Sequence, residues 1–387
     1  MQQRPQDAID LLSELVRFDT TSRNSNLALI DFVEDFLARH GVAAQRIFDA
    51  TGSKANLFAT IGPADVSGYI LSGHTDVVPV DGQVWASDPF VLREADGRLY
   101  GRGACDMKGF LACCLALVPE MVAAPLARPI HLAFSYDEEI GCIGVRGLIA
   151  ELAGRPVLPL ACFVGEPTDM QVVVAHKTKR SLRVTVTGRS CHSSLAPEGV
   201  NAVEYAARLI AGIHALGREL AGGDRDELFD VPVTTTHVGT IVGGTALNIV
   251  PDQCSFTFEI RALPLVDIDA LLARIVALAE EVLEPEMHAR DPGTGIVFEL
   301  TSGFPGLDTD VEAPVVGMAK RLAGRNDHAK VAYGTEAGLF AEIGIPTVIL
   351  GPGSIGEAHK ADEFITIEQL TKGRAFVASL IQFACKY

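Results

Sequence analysis

The sequence predicts an α/β protein that has a central, mostly parallel sheet and a second, smaller α+β domain inserted into the larger one. Four short apolar runs of strand character lead directly into polar segments, as strands of a buried parallel sheet do. Between about residues 180 and 295 the runs instead alternate apolar and polar residues, which is typical of a half-exposed antiparallel sheet. A chain of 387 residues is also longer than one core usually organises, so two domains are expected.

The larger domain is predicted from apolar stripes with helical spacing and from short apolar runs. Ile9, Leu12 and Val16 share one face of the first helix, and Gly41 suits the end of the second. The predicted helices cover residues 8–18, 26–39, 110–118, 313–323 and 367–383, and the predicted strands cover residues 56–61, 69–71, 130–136, 160–164 and 346–350.

The inserted domain is predicted from strict alternation in its strands. Leu182, Val184 and Val186 share one face of a strand whose other face is polar. Its predicted strands cover residues 181–187, 233–241, 254–260 and 296–300, and its predicted helices cover residues 200–216 and 268–282. This β-α-β-β-α-β order predicts a ferredoxin-like module. We assign residues 1–179 and 296–387 to the larger domain and residues 180–295 to the insertion.

Composition excludes several classes of partner. The chain carries 32 basic and 49 acidic residues, a net charge of −17, whereas nucleic acids and anionic membranes are bound by basic surfaces. The N-terminus has no signal-peptide core, and no apolar run reaches transmembrane length. The eight cysteines form no C-x-x-C pair, so we expect reduced thiols in a cytoplasmic protein.

Histidines and carboxylates follow the predicted strands of the larger domain, just past the strand ends. They are His74 with Asp76, the pair Glu138 and Glu139, Glu166, and His359; Asp106 lies instead near a predicted helix start. Three of these features have an ordinary alternative interpretation: a hydrogen-bonded loop pair for His74, a helix cap for Asp106, and a solvated acidic loop for residues 137–139.

Together these side chains predict a site for two divalent ions of the zinc type. The carboxyl ends of parallel strands meet at one edge of a sheet, so their loops converge. Carboxylates crowded there without a cation would repel one another. One carboxylate is needed to bridge two ions, and one glutamate outside the ligand set is needed as a general base. The doubled Glu138–Glu139 supplies that extra glutamate.

Five motifs, in order along nearly the whole chain, resemble those of the M20 metallopeptidases, the aminoacylase and carboxypeptidase G-like family. They are Ser72–Pro79, Gly101–Gly109, Asp137–Gly141, Gly165–Thr168 and Ala358–His359. The resemblance implies a zinc-peptidase-like catalytic domain, formed by the larger domain, and an inserted domain for dimerisation or as a lid.

The resemblance also implies roles for single residues. His74 and Glu166 would bind one Zn²⁺, and Glu139 and His359 the other, with Co²⁺ able to substitute. Asp106 would bridge the two ions and precede a cis peptide bond to Met107. Asp76 would support His74, and Glu138 would be the general base.

Within that family the chain is most similar to the acetylornithine deacetylase branch, on Val164–Met170, Ala175–Lys177 and Tyr333–Phe340. This implies removal of the acetyl group from N2-acetyl-L-ornithine in arginine biosynthesis. The alternatives are another M20 amidohydrolase, such as a succinyl-diaminopimelate desuccinylase or an aminoacylase, and a metal-binding protein without activity. Because only turnover requires a base outside the ligand set, the intact Glu138 argues against the last.

The same resemblance points to substrate contacts. Thr335 and Glu336 would lie in the substrate cleft, where the Glu336 carboxylate would bind the ornithine ammonium; a role at a helix start is the alternative. Asn248 and Arg261 would contact the substrate carboxylate or the oxyanion, with a structural ion pair as the alternative for Arg261. His192 would reach the scissile carbonyl from the second subunit of a homodimer.

Overall fold

The computed structural model describes residues 4–386, which divide into two compact units. One unit comprises the chain up to Ala175, Leu307–Lys330 and the chain from Thr335 onward. The other comprises His176–Gly306 and Val331–Gly334. None of the helices within residues 4–386 combines the length and the apolar character that crossing a bilayer requires.

Sixteen strands and eleven α-helices are described. The strands are β1 Ala44–Phe48, β2 Ala55–Ile61, β3 Tyr69–His74, β4 Arg93–Ala95, β5 Arg98–Tyr100, β6 Ile130–Ser135, β7 Ala161–Pro167, β8 Val172–His176, β9 Thr178–Thr187, β10 Thr235–Gly243, β11 Gln253–Ala262, β12 Gly295–Phe304, β13 Leu307–Asp308, β14 His328–Val331, β15 Thr347–Gly351 and β16 Phe364–Thr366. The helices are α1 Gln6–Val16, α2 Leu27–Arg39, α3 Gly109–Ala116, α4 Val118–Ala123, α5 Val145–Ala153, α6 Ala202–Ala221, α7 Ile268–Leu278, α8 Glu284–His288, α9 Pro314–Ala323, α10 Ala337–Glu342 and α11 Ile367–Ala384.

The larger unit is built on a nine-stranded sheet in the order β1-β2-β6-β3-β7-β15-β8-β13, with β14 beside β8. Its centre, β6-β3-β7-β15, is parallel throughout. Strands β3 and β6 are buried along their whole length, which explains why they are apolar without alternation. The predicted α/β class with a mostly parallel sheet is therefore confirmed.

Helix α3 occupies the interior of this unit. All of its residues are buried, because it is apolar around its whole circumference, and α1 and α11 pack against it. A π-helical turn, Ala104–Lys108, leads into α3 and carries Asp106. Gly103 precedes this turn with φ +78°, and a Cβ there would lie 2.6 Å from Val77 Cγ1, so the site requires glycine.

The smaller unit contains a four-stranded antiparallel sheet in the order β10-β11-β9-β12. Helices α6 and α7 pack on it, and together these elements follow the predicted ferredoxin-like order. In β9, Leu182, Val184 and Val186 are buried and Arg183 is exposed, as the alternation predicts.

The bounds of the smaller unit differ from residues 180–295. The unit begins at His176 and extends to Gly306, because β9 starts at Thr178 and β12 pairs with β9 as far as Phe304. Strands β3 and β7 also run further than predicted and take in His74 and Glu166. The larger unit also contains elements that were not predicted, among them helix α5 and strand β8.

Candidate metal centre

The parallel centre of the large sheet brings the predicted ligands together at one edge. His74 is the last residue of β3, Glu138 and Glu139 follow β6, Glu166 lies at the end of β7, and His359 follows β15. Since these four strands are parallel neighbours, their carboxyl ends point the same way and their loops meet.

Asp106 lies between two histidines. Its Oδ1 is 3.0 Å from His74 Nε2, and its Oδ2 is 3.3 Å from His359 Nε2. The peptide bond from Asp106 to Met107 is cis, as the family resemblance implied. One oxygen of the carboxylate thus faces each histidine, which is the arrangement a bridging ligand requires.

His74 and Glu166, which the family resemblance assigns to a first metal position, lie close together. His74 Nε2 lies 3.8 Å from Glu166 Oε1, and the ring is 1% exposed. Its Nδ1 lies 2.8 Å from the main-chain oxygen of Asp76, which can only accept, so Nδ1 carries the hydrogen. Nε2 is then left with its lone pair for a metal ion, the usual consequence of such a partner.

Glu139 and His359, which the resemblance assigns to a second metal position, meet near the other oxygen of Asp106. His359 Nε2 lies 3.0 Å from Glu139 Oε2. The His359 side chain is 53% exposed and its backbone is left-handed, with φ +64°. This candidate ligand therefore comes from an open loop, whereas His74 comes from a buried strand.

The donor set fits divalent cations. Glu139 Oε1 is buried without a hydrogen-bond partner, and buried polar atoms are normally satisfied. Two overlapping groups, His74 with Asp106 and Glu139, and His74 with Glu138 and Glu166, each place one ligand atom per residue within 4.8 Å of the others. Imidazole nitrogens and carboxylate oxygens at this spacing are ligands of the zinc type.

The shifted pKa values of these groups also favour bound cations. Burial raises the pKa of Glu139 to about 7 and that of Glu166 well above its usual range, with the negative charge of Asp106 adding to both. Hydrogen bonds to Asp106 and Glu139 raise the pKa of His359 to about 10. Positive charge is thus strongly favoured between these carboxylates, and divalent cations would supply it.

Glu138 lies beside the ligands, close to His74 and Glu166. The Cys142 thiol donates to Glu138 Oε1 at 3.4 Å. Burial raises the pKa of Glu138 to about 8. The main-chain N–H groups of Glu138 and Glu139 donate to the two Asp76 carboxylate oxygens, at 3.1 and 3.3 Å. Asp76 therefore orients this acidic loop as well as His74.

A buried glutamate that sequence reasoning missed supports the Asp106 turn. Glu363 is fully buried and accepts hydrogen bonds from the main-chain N–H groups of Gly103, Cys105 and Asp106 and from the Arg102 guanidinium. No local pattern around residue 363 marks this role, because all of its partners lie about 260 residues earlier in the chain.

The structure places Glu336 away from any open cleft surface. Its side chain is fully buried, and its two oxygens accept hydrogen bonds from Ser72 Oγ at 2.6 Å and Ser135 Oγ at 2.7 Å. Burial raises its pKa, against the effect of these two bonds. Thr335 is also fully buried, and its Oγ1 accepts from Ala337 N at the start of α10. These contacts favour a structural role for Glu336 beneath β3 and β6 over the expected contact with a substrate ammonium.

The remaining predicted site residues belong to the smaller unit. His192 and Asn248 are exposed on neighbouring segments: Ser193 N donates to Asn248 O at 3.0 Å, and His192 Nδ1 lies 2.8 Å from Ser194 Oγ. Arg261 Nε donates to Glu259 Oε1 at 2.8 Å. Arg261 therefore forms a structural ion pair with Glu259, which is the alternative role predicted for it.

The sequence of the chain matches peptidase family M20/M25/M40 over residues 70–382, a range that contains every candidate ligand. The chain belongs to this family. An M20 metallo-carboxypeptidase from Sulfolobus solfataricus shares the fold, with a TM-score of 0.77 at 20% identity over 98% of this chain and all of that one. A dinuclear metal-binding M20 peptidase, the YXEP protein of Bacillus subtilis, matches with a TM-score of 0.68 at 17% identity over 98% of both chains.

Curated relatives are more similar in sequence. Acetylornithine deacetylase of Yersinia pseudotuberculosis is 36% identical over 374 residues, covering 95% of this chain and 93% of that protein. Acetylornithine deacetylase of Myxococcus xanthus is 35% identical over 379 residues, covering 97% and 96%. Membership of a hydrolase family and a cluster able to hold metal ions together identify the chain as an M20 amidohydrolase.

Proposed function

We propose that the protein is a dinuclear zinc-dependent deacetylase that hydrolyses N2-acetyl-L-ornithine to L-ornithine and acetate, a step of arginine biosynthesis. The supporting observation is full-length similarity, at 34–36% identity, to relatives named acetylornithine deacetylase. Metal-assisted amide hydrolysis needs metal ligands and a general base, and six residues that lie together supply them: His74, Asp106, Glu138, Glu139, Glu166 and His359.

His74 and Glu166 would hold one ion, Glu139 and His359 the other, and Asp106 both. Ions held there would polarise the amide carbonyl and acidify a water molecule. Zn²⁺ suits the mixed nitrogen and oxygen donors, and Co²⁺ prefers similar ones.

Glu138 would carry the proton through the reaction. Its carboxylate takes a proton from the attacking water as the new C–O bond forms at the acetyl carbon. The same carboxyl then delivers this proton to the amide nitrogen as the C–N bond breaks, so that acetate and the free amine leave. The hydrogen bonds from the main chain to Asp76 hold Glu138 in position for both transfers.

We propose that the protein is a homodimer in the cytoplasm, in which His192 completes the site of the second subunit. The edge strand β10 is largely exposed, and an exposed edge is able to pair across a two-fold axis. The eight cysteines are free, as reduced thiols in that compartment are.

A substrate panel tests the function. The purified protein, loaded with Zn²⁺ or Co²⁺, is assayed on N2-acetylornithine, N-succinyl-diaminopimelate and N-acetylmethionine, and we expect the highest kcat/KM on the first. The Glu138→Gln variant, purified in parallel, controls for contaminating host enzymes. A higher kcat/KM on either of the other two substrates would assign the chain to a different M20 amidohydrolase.

A further inference from the structure

We propose that Gln83 is a positioning residue for the second metal position, the one formed by His359 and Glu139, and that it sets the affinity of that position relative to the first. The inference rests on the two-ion centre of the proposed function and goes beyond it, because the side-chain hydrogen bonds of Gln83 go to His359 O, Trp85 and Arg102 rather than to a candidate ligand atom or the general base. It concerns a loop, residues 83–86, that no sequence motif of the site includes.

The Gln83 side chain ties this loop to the main chain of His359. Its Nε2 donates to His359 O at 2.9 Å. Its Oε1 accepts from Arg102 Nη2 at 2.6 Å and from Trp85 Nε1 at 3.1 Å. Both of these partners can only donate, so the oxygen end of the amide must face them and the NH₂ end must face the His359 carbonyl.

Arg102 extends this connection to the main chain of Asp106, the proposed bridging residue. The guanidinium is 1% exposed, lies 5.1 Å from the Trp85 ring centre, and donates through Nη1 to Glu363 Oε2 at 2.6 Å. Glu363 Oε1 accepts from Asp106 N at 3.0 Å. A continuous chain of hydrogen bonds therefore runs from the main chain of Asp106 to the main chain of His359.

The effect is expected at one position because the two histidines are held differently. His74 is the last residue of a buried strand, and its ring is fixed by the Asp76 carbonyl. His359 lies in an open loop with a left-handed backbone and a half-exposed ring, and Gln83 binds its peptide group directly. A second contact supports the same loop pair, since Ala86 N donates to Asp362 Oδ1 at 3.0 Å. Loss of the Gln83 amide would free His359 and leave His74 in place.

Stepwise metal binding tests the inference. Metal-stripped wild type, Gln83→Met and Gln83→Asn are titrated with Co²⁺, followed by visible absorption and by calorimetry, and His359→Ala marks the behaviour of a protein without the second histidine. Methionine keeps the length but loses both polar groups, and asparagine keeps the amide but is too short to reach both partners. We expect the first equivalent to bind within about twofold of wild type, and the second roughly 10- to 100-fold more weakly, the usual effect of removing a residue that orients a ligand.

Gln45 provides a matched control. Its side chain also bridges an arginine and an acceptor, at 3.3 Å to Arg155 Nη2 and 3.3 Å to Glu151 Oε1, but it lies on β1, outside the metal centre. Gln45→Met should titrate like wild type. An unchanged second step in both Gln83 variants, equal weakening of both steps, or the same loss in Gln45→Met would overturn the proposal. A wild-type endpoint of one equivalent would overturn the two-ion centre as well, whereas inactivity on acetylornithine would refute only the substrate.

Discussion

Replacing Glu336 distinguishes a structural carboxylate from one that binds substrate. The side chain is fully buried and accepts from the Ser72 and Ser135 hydroxyls, which lie on β3 and β6. We expect Glu336→Gln to lower kcat/KM by the same factor on acetylornithine and on acetylmethionine, because the variant changes the sheet beneath the ligands and not a contact with the substrate side chain.

The size of the stability effect follows from the two hydrogen bonds. A bond to a charged acceptor contributes about 1.5–3 kcal/mol and a neutral one about 0.5–1.5 kcal/mol. Replacing two hydrogen bonds to a charged acceptor by two neutral hydrogen bonds costs roughly 2–3 kcal/mol. Removal of the buried charge offsets part of that loss. Glu336→Gln should therefore lower the free energy of unfolding by no more than about 3 kcal/mol, and Glu336→Ala by more, since it leaves both hydroxyls without this acceptor.

The assay compares urea unfolding and the ratio of kcat/KM on the two substrates for wild type, Glu336→Gln and the exposed control Glu342→Gln on the same helix. An ammonium bound by Glu336 through a charge-assisted bond of about 1.5–3 kcal/mol would make the loss roughly 10- to 150-fold larger on acetylornithine. A selective loss of that size, with stability unchanged, would refute the structural role.

Three further predictions concern catalysis, pH and assembly. Glu138→Gln should keep both metal ions, measured by elemental analysis, and lose about 10²–10⁴ in kcat, the usual effect of removing a general base; near wild-type kcat would contradict its role. Burial lowers the pKa of His131 from 6.5 to about 4, so the folded protein favours the neutral ring. The folding stability that depends on the neutral ring is present above about pH 6.5 and is lost as the pH falls toward 4. At 1.36 kcal/mol per pKa unit, the loss of stability is roughly 3 kcal/mol. The variant His131→Phe, which can keep the stacking on Phe58, should reduce the change of unfolding free energy with pH. An unchanged pH dependence would refute the role of His131. Mixed dimers of Glu138→Ala and His192→Ala should regain activity, because one site then combines an intact Glu138 with the second subunit's His192; no recovery with heterodimers verified by mass would exclude the shared site.

Residues close together in the chain determined much of the candidate site. His74, Glu138, Glu139 and Glu166 could be recognised because each lies at or just past an apolar strand, and parallel strands necessarily present their carboxyl ends at one edge. The ferredoxin-like module was equally predictable, since alternation in β9 and the order of its elements are local properties of the sequence. Its limits were not, because the pairing of β12 with β9 extends the module beyond the segment in which alternation was recognised.

Only the tertiary structure shows what the side chains of Glu336, Glu363 and Gln83 contact. Ser72 and Glu336 are separated by 264 positions, Asp106 and Glu363 by 257, and Gln83 and His359 by 276. The residues next to a glutamate or glutamine in the chain do not show whether its side chain faces a substrate or a buried hydroxyl. The burial of the side chain and its hydrogen-bond partners distinguish the two cases. For Glu336, motif similarity suggests a substrate contact, whereas in the structure the same side chain is buried and accepts hydrogen bonds from β3 and β6, the strands that lead to candidate metal ligands.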